Sequence, residues 1–302
     1  MKILITGAWK CSFEQLNQIK QLGHEVVFMQ NESDELPCAY EEVEGVICNG
    51  LFLYHPIENF TALNYIQLTS AGFDRVPTDV VQSKKIKIFN ARGVYSIPMA
   101  EFAIGCVLQL YKQLRQFYKN QQKCLWEKRR DLLELFGKSV CVVGCGSVGT
   151  ECAKRFQAFG CKVVGVDLYP RQDGAYEKIY ALGDLDDCLN KADIIILTLP
   201  LTEQTRELIN EKRFAIMKDN SVLVNIARGA VVEQKALLKA LDEKLLGAVI
   251  DVFEEEPLAQ NNQLWQKENA VIVPHNSFVG DGNAERLNKV ILENLKSWCE
   301  ND

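Results

Sequence analysis

Between residues 139 and 274 the chain repeats one pattern six times: a short apolar run, a turn, and usually a stretch of helical spacing. The runs are SVCVVG, KVVGVD, DIIILTL, SVLVNI, GAVIDVF and AVIVP. Each is rich in Val and Ile and continuously apolar rather than alternating, as parallel strands covered on both faces are. SVGTECAKRFQAFG and VVEQKALLKALDEK, lying between runs, carry helical periodicity. Strands alternating with helices predict a doubly wound parallel sheet. Residues 1 to 92 show a weaker version, with KILITG, EVVFM, GVICN, YIQLTS and IKIFN as strands. A long amphipathic helix then opens with Ser96 as N-cap and Pro98 in its first turn. Met99, Phe102, Ala103, Cys106, Val107, Leu110, Leu114 and Phe117 form its apolar stripe. That face suits either a crossing between domains or burial against a second subunit. A final helical segment, roughly Ala284 to Cys299, is expected to return to the first domain.

Length and composition narrow the classes. A chain of 302 residues buries a sizeable core and is expected to form two domains. The net charge of −6 disfavours nucleic acid as a partner, and a small anionic substrate needs a local cation. The opening MKILITGAWK has too short an apolar run for a signal peptide. No stretch approaches the ~20 apolar residues of a membrane span, so no membrane partner is expected. The 11 cysteines are scattered without CxxC or Cys/His zinc spacing. Cys106, Cys141 and Cys152 occupy apolar positions of periodic segments, where Cys acts as a small hydrophobe. Reduced thiols in a cytoplasmic protein are expected, and no metal site.

Two groups of residues carry candidate chemistry. VVGCGSVG places Gly144, Gly146 and Gly149 in GxGxxG spacing directly after a strand. The first allows a tight turn, the second lets a pyrophosphate approach the backbone, and the third lets helix and strand pack closely. The helix opening at Ser147 and Val148 would turn its free amides and positive dipole end toward the phosphates. The next strand ends in Asp167, 18 residues beyond Gly149, where an acid accepts from the adenosine ribose hydroxyls. Asp167 would repel a 2′-phosphate, so NAD is favoured over NADP, with Arg171 as the contrary feature. Cys145, between the glycines, is expected to pack rather than react, since no base is evident beside it.

The second group lies at strand ends, where dinucleotide folds bind their ligands. NIARG puts Arg228 at one tip, GAVIDVFEEEP puts Asp251 and three glutamates at the next, and IVPHNS puts His275 at the last. The chain has only three histidines. His24 reads as a surface residue at the start of a strand, and His55 as a loop residue.

At these motifs the chain resembles the D-2-hydroxyacid dehydrogenase family, whose members include phosphoglycerate, D-lactate and glyoxylate/hydroxypyruvate enzymes. TSAGFDRV, NARGVYSIPMAEF, VVGCGSVG, VDLYP, LPLTEQT, VNIARGAVV, DVFEEEP and VPHNS carry the resemblance. It implies a Rossmann NAD-binding domain, residues 96–279, inserted into a flavodoxin-like substrate domain of residues 1–95 and 280–302. It implies catalytic Arg228, Glu256 and His275, and a small 2-oxo or 2-hydroxy acid as substrate. Pro200, Thr205, Ile226, Ala227 and Asp251 would line the cofactor, together with Arg228 and His275, Asp251 on its nicotinamide side. Glu256 would orient the His275 ring and favour its charged form. The amides of Ala71 and Gly72 would grip the substrate carboxylate beside Arg228. The resemblance also implies a homodimer. Glu254 and Glu255 are expected to be solvated.

Some features depart from common family forms or leave alternatives open. Arg92 stands where many relatives are uncharged, and PHNSF replaces a Gly- or Ala-containing segment. Leu51, Phe52, Tyr54 and Trp265 are candidates for the substituent pocket, with Arg75 and Arg92 as its only obvious cations. The chain stops soon after its last helix, so a regulatory C-terminal domain is not expected. Formate dehydrogenase shares these motifs, but the resemblance implies Gln there in place of Glu256. A non-catalytic NAD-sensing protein on the same scaffold is the alternative from a different functional class.

Overall fold

The computed structural model describes residues 1–301, the side chain of Asn301 excepted, and the chain divides into two units. The first is Met1–Tyr95 with the chain from Gly280 onward; the second, Ser96–Val279, interrupts it. In the first unit, strands β1 (Lys2–Thr6), β2 (Glu25–Met29), β3 (Gly45–Cys48), β4 (Tyr65–Leu68) and β5 (Lys87–Phe89) alternate with helices α1 (Phe13–Gln21) and α2 (Thr78–Ser83). The strands pair in parallel in the order β2-β1-β3-β4-β5, the flavodoxin-like doubly wound arrangement. One face packs Leu4, Val46, Ile66 and Leu68 with Phe60 and Leu51. The other packs Ile3, Ile5, Ile47 and Tyr65 against Ile291 and Leu295 of the last helix, Asn283–Asn301. Trp9 Nε1 donates to Asn288 Oδ1 at 2.6 Å and ties that helix to the sheet.

The second unit opens with α3 (Ser96–Tyr111) and α4 (Leu114–Gln122). Then come β6 (Ser139–Val143), α5 (Ser147–Ala158), β7 (Lys162–Asp167), β8 (Lys178–Ala181), α6 (Leu185–Leu189) and β9 (Ile194–Leu197). The unit closes with α7 (Glu211–Ile216), β10 (Val222–Asn225), α8 (Gln234–Glu243), β11 (Gly247–Ile250) and β12 (Ala270–Ile272). All seven strands are parallel, in the order β12-β11-β10-β9-β6-β7-β8. The order reverses between β6 and β9, the switch point at which such sheets bind ligands. In β9, β10 and β11 every residue is buried, so the continuous apolar runs follow from helices on both faces. No helix among the described residues is long and apolar enough to cross a membrane.

Several expectations are corrected. Ser96 does not cap the long helix: it is its first residue, buried, and its hydroxyl has no partner among the described residues. The helix ends at Tyr111, and Gln113, at φ 50, turns the chain so that Leu114 and Phe117 belong to α4. The extra strand β8 lies at the sheet edge with Ile179 as its one buried residue, which left it no apolar run to read. His24 is buried, with Nε2 3.2 Å from Cys299 Sγ. His55 is also buried, pairing with the Tyr40 hydroxyl at 2.8 Å and with the Glu32 carbonyl at 3.0 Å. Leu51 is 0% exposed inside the first core, whereas Tyr54 and Trp265 are exposed.

Candidate active site

The glycine loop follows β6. Gly144 has φ +96, and a Cβ there would lie 2.6 Å from the Leu199 amide nitrogen, so the turn and its packing against the loop after β9 both require glycine. At Gly149 a Cβ would meet the Gly144 carbonyl at 2.1 Å, which is the close helix–strand packing. A Cβ at Gly146 would meet nothing within 4 Å. That open space lies at the N-terminus of α5, where Gly146 supplies no side-chain cap and Ser147 and Val148 are half-buried. The arrangement fits a pyrophosphate: open room, uncapped amides and the positive end of a helix dipole.

Asp167 ends β7 beside this loop. Its Oδ2 accepts from the Cys145 amide at 2.7 Å and its Oδ1 from the Tyr169 amide at 2.9 Å, so the carboxylate is oriented by backbone alone. Arg171 is turned onto the Cys145 carbonyl at 2.5 Å and onto Asp173 at 3.3 Å. The Cys145 side chain points inward, fully buried, and burial pushes its thiol up to about 12. A Cβ on Gly165 of β7 would lie 2.3 Å from its sulfur, so that glycine makes the room. The thiol packs inside the loop.

Arg228, Glu256 and His275 follow β10, β11 and β12, three adjacent parallel strands whose tips lie along one edge of the sheet. Asn225, the last residue of β10, was not singled out from the sequence. Its side chain accepts from the Ala227 amide at 3.1 Å and donates to the Arg228 carbonyl at 3.0 Å, fixing the turn that carries Arg228. The available signal was a carboxamide ending an otherwise apolar buried strand, where its polar groups need partners. Arg228 is half-buried, and its Nη1 donates to the Ala227 carbonyl at 2.8 Å. A Cβ at Gly229 would lie 1.9 Å from the Phe253 carbonyl carbon, so glycine lets the Arg228 turn rest directly on the loop bearing Glu256. Ile226 and Ala227 are buried along the same turn.

Glu256 Oε1 accepts from the Phe253 amide at 3.0 Å, and Oε2 meets His275 Nδ1 at 2.8 Å. A carboxylate only accepts, so Nδ1 carries the hydrogen and Nε2 is the nitrogen left for chemistry. Both side chains are accessible, 43% for His275 and 36% for Glu256. Glu254 and Glu255 are exposed, and Glu254 lies 3.5 Å from Arg206. Asp251 is buried, and its carboxylate is engaged by Asn276 and Ser277. Thr205 is buried and ties its own loop, donating to the Pro200 carbonyl at 2.8 Å. In the first unit, the Ala71 carbonyl accepts from Asn90 Nδ2 at 2.6 Å and the Gly72 carbonyl from the Ser70 hydroxyl at 3.0 Å. The Ala71 and Gly72 amides have no acceptor among the described residues. Arg75 and Arg92 are exposed. No group of His, Cys, Asp or Glu among the described residues could hold a metal ion.

Comparison with known proteins places the chain in a family. Residues 104–277 match the model of the D-isomer specific 2-hydroxyacid dehydrogenase NAD binding domain. A D-3-phosphoglycerate dehydrogenase of Methanocaldococcus jannaschii is 32% identical over 80% of this chain, which spans 46% of that protein. A hydroxypyruvate reductase of Thermotoga maritima is 32% identical over 89% of this chain and 88% of its own. The structure of D-lactate dehydrogenase from Aquifex aeolicus, complexed with NAD and lactic acid, superimposes with a TM-score of 0.79 at 25% identity. That match covers 99% of this chain and 96% of the other.

Proposed function

Because the chain belongs to the D-isomer specific 2-hydroxyacid dehydrogenase family, we propose that it interconverts a 2-oxo acid and a D-2-hydroxy acid with NAD. The observation that carries this reading is the Glu256–His275 pair, 2.8 Å apart and one strand from Arg228, on a sheet that also bears the glycine loop. The loop from Gly144 to Gly149, the α5 amides and Asp167 hold the dinucleotide, and the adjoining turns at Pro200, Thr205, Ile226 and Ala227 complete its cleft. Bound nicotinamide supplies the hydride that no side chain can carry. His275 gives a proton from Nε2 to the substrate carbonyl oxygen and takes it back in the oxidation direction. Glu256 holds the ring in the tautomer that leaves Nε2 facing the reaction. The planar fork of Arg228 pairs with the substrate carboxylate, a geometry that lysine lacks. In the first unit the amides of Ala71 and Gly72 are the proposed further donors to a carboxylate.

Oxidation of NADH is measured against pyruvate, glyoxylate, hydroxypyruvate, phenylpyruvate, 2-oxoisocaproate and phosphohydroxypyruvate. Wild type turns over at least one of them, and His275→Ala loses roughly 100- to 10,000-fold in kcat, the usual worth of a general acid. Tight NADH binding with no turnover on any member would replace this reading with an NAD-sensing protein.

The protein is further proposed to be a homodimer. Trp126 is 95% exposed, and Leu125, Phe136, Leu114 and Tyr118 are exposed on the same unit, apolar surface of the kind that a second copy would cover. Light scattering at micromolar concentration checks it, and a mass near 34.2 kDa would refute it. Eleven cysteines, with no disulfide among the described residues, support residence in a reducing cytoplasm.

A further inference from the structure

Glu32 lies in the loop that follows β2 and has no part in the reaction described so far. Its carboxylate ties together the carboxyl ends of β1 and β3. Oε1 accepts from the hydroxyl of Thr6, the last residue of β1, at 2.8 Å and from the Asn49 amide at 2.6 Å. Oε2 accepts from the Gly50 amide at 2.7 Å. Asn49 and Gly50 directly follow β3, and Thr6 is buried. A carboxylate offers about four acceptor positions, and three of them hold this turn and strand tip. Bonds from backbone amides to an ionised carboxylate are among the short, strong ones.

The same residue holds the far end of the loop. His55 is buried, and its Nε2 donates to the Glu32 carbonyl at 3.0 Å while Nδ1 meets the Tyr40 hydroxyl at 2.8 Å. The arch from Asn49 to His55 is thus fastened to Glu32 at both ends. Within it Leu51 sinks into the core, and the Phe52 ring packs edge-on against Phe60 with centroids 5.9 Å apart. Leu53 and Tyr54 at the crest are left exposed, at 62% and 59%.

The arch begins beside the proposed carboxylate grip. β3 and β4 are paired, and the Thr69 amide donates to the Cys48 carbonyl at 2.9 Å where the two strands end. Beyond Thr69 the chain leads to Ala71 and Gly72; beyond Cys48 it enters the arch. On the other side of β4, the loop after β5 is tied to the Ala71 carbonyl by Asn90 and exposes Arg92 and Gly93. Of the two loops flanking the grip, the arch is the one that offers exposed apolar side chains to a substrate.

We propose that Glu32 is a positioning residue: it clamps the arch so that Leu53 and Tyr54 form a wall for the substrate's substituent, and so selects among 2-oxo acids. The proposal rests on the 2-oxo acid reading given above. A carboxylate grip alone treats all such acids alike, whereas the wall acts only on those with a group to touch it. Glyoxylate carries a hydrogen at that position and phenylpyruvate a benzyl group, so these two acids separate clamp from grip.

The test uses the full chain as wild type, Glu32→Gln and Glu32→Ala. It measures kcat and KM for glyoxylate, pyruvate, 2-oxoisocaproate and phenylpyruvate at saturating NADH. Glu32→Gln keeps the side-chain volume and one acceptor oxygen, and it carries the measurement should Glu32→Ala not fold. Amide hydrogen exchange of residues 46–55, followed by mass spectrometry without cofactor or substrate, reads the clamp independently of turnover. In Glu32→Gln, kcat/KM falls roughly tenfold on phenylpyruvate, mainly through KM, and less than about threefold on glyoxylate. Exchange of the segment quickens roughly tenfold. Equal losses on every acid turned over would overturn the proposal and leave Glu32 a scaffold residue. Unchanged exchange would overturn it as well, whatever the kinetics. If wild type turned over no 2-oxo acid, the functional reading would fall and the selection with it, while faster exchange would still show the clamp.

Discussion

The turn at Gly144 and the turn at His275 both follow strands of one sheet, and both put a residue in the left-handed region, φ +96 and φ 48. They reach that conformation by opposite means. At Gly144 the missing side chain removes the obstacle, so the loop adopts the shape at no steric cost and leads into the uncapped start of α5. At His275 the side chain is the proposed proton donor and glycine would not serve, so the cost of about 1–2 kcal/mol has to be offset. Four hydrogen bonds to Asp251, each worth about 0.5–1.5 kcal/mol net, are sufficient. A phosphate loop is defined by what it lacks; an acid–base turn is defined by what holds it.

The largest effect is expected where that contrast is pushed hardest. Gly146→Val adds a side chain where a Cβ meets nothing within 4 Å, so the protein folds normally and its melting temperature moves little. The same side chain fills the room left for the pyrophosphate, and the NADH Kd rises at least about 100-fold, the order of affinity that helix-terminus and backbone phosphate contacts supply. Isothermal titration with NADH beside a thermal melt reads both. Normal NADH binding would show that the open space is not the phosphate site, and the comparison would break.

A smaller effect is expected at the opposite kind of turn. Asn225→Ala strips the Ala227 amide and the Arg228 carbonyl of their partner in a buried setting, at a cost of about 1–3 kcal/mol. Because the pinned turn carries Arg228, the loss should fall on KM for the 2-oxo acid as well as on stability. Steady-state kinetics with saturating NADH, together with urea unfolding, separates the two. Lost stability with an unchanged KM would make Asn225 a scaffold residue alone.

The same contrast explains what could be read from the chain in advance. The strands of both sheets were legible because burial on two faces writes unbroken Val/Ile runs, and the glycine loop because its requirements fall within six contiguous residues. The edge strand β8 was not, since Lys178–Ala181 buries a single residue. The break at Gln113 was not, because the apolar stripe continues in phase from α3 into α4. Arg228, Glu256 and His275 were each visible as polar residues at strand ends, but their neighbourhood follows from strand order, which no local pattern encodes. The Asp251–Ser277 network spans 26 residues of sequence, and Ser277 looks like any loop serine until the fold buries it.

The smallest effect tests the one side chain that the glycine loop does turn inward. Gly165→Ala places a Cβ 2.3 Å from Cys145 Sγ in the middle of β7, and overpacking of this kind costs about 1–3 kcal/mol. Cys145→Ala removes the sulfur and leaves a small cavity, at a cost of about 1 kcal/mol. Combined, the two changes exchange one volume for the other, so the double variant should be more stable than Gly165→Ala alone. Urea unfolding of the four proteins gives the coupling directly, and simple additivity would mean that the sulfur and the glycine do not share that space. Iodoacetamide supplies an independent check. Cys145, buried with its thiol pushed up to about 12, should stay unmodified at pH 8 while the exposed Cys124 is alkylated. Rapid alkylation of Cys145 in the folded protein would mean that the loop opens in solution, and that its shape is set by the bound dinucleotide rather than by its glycines.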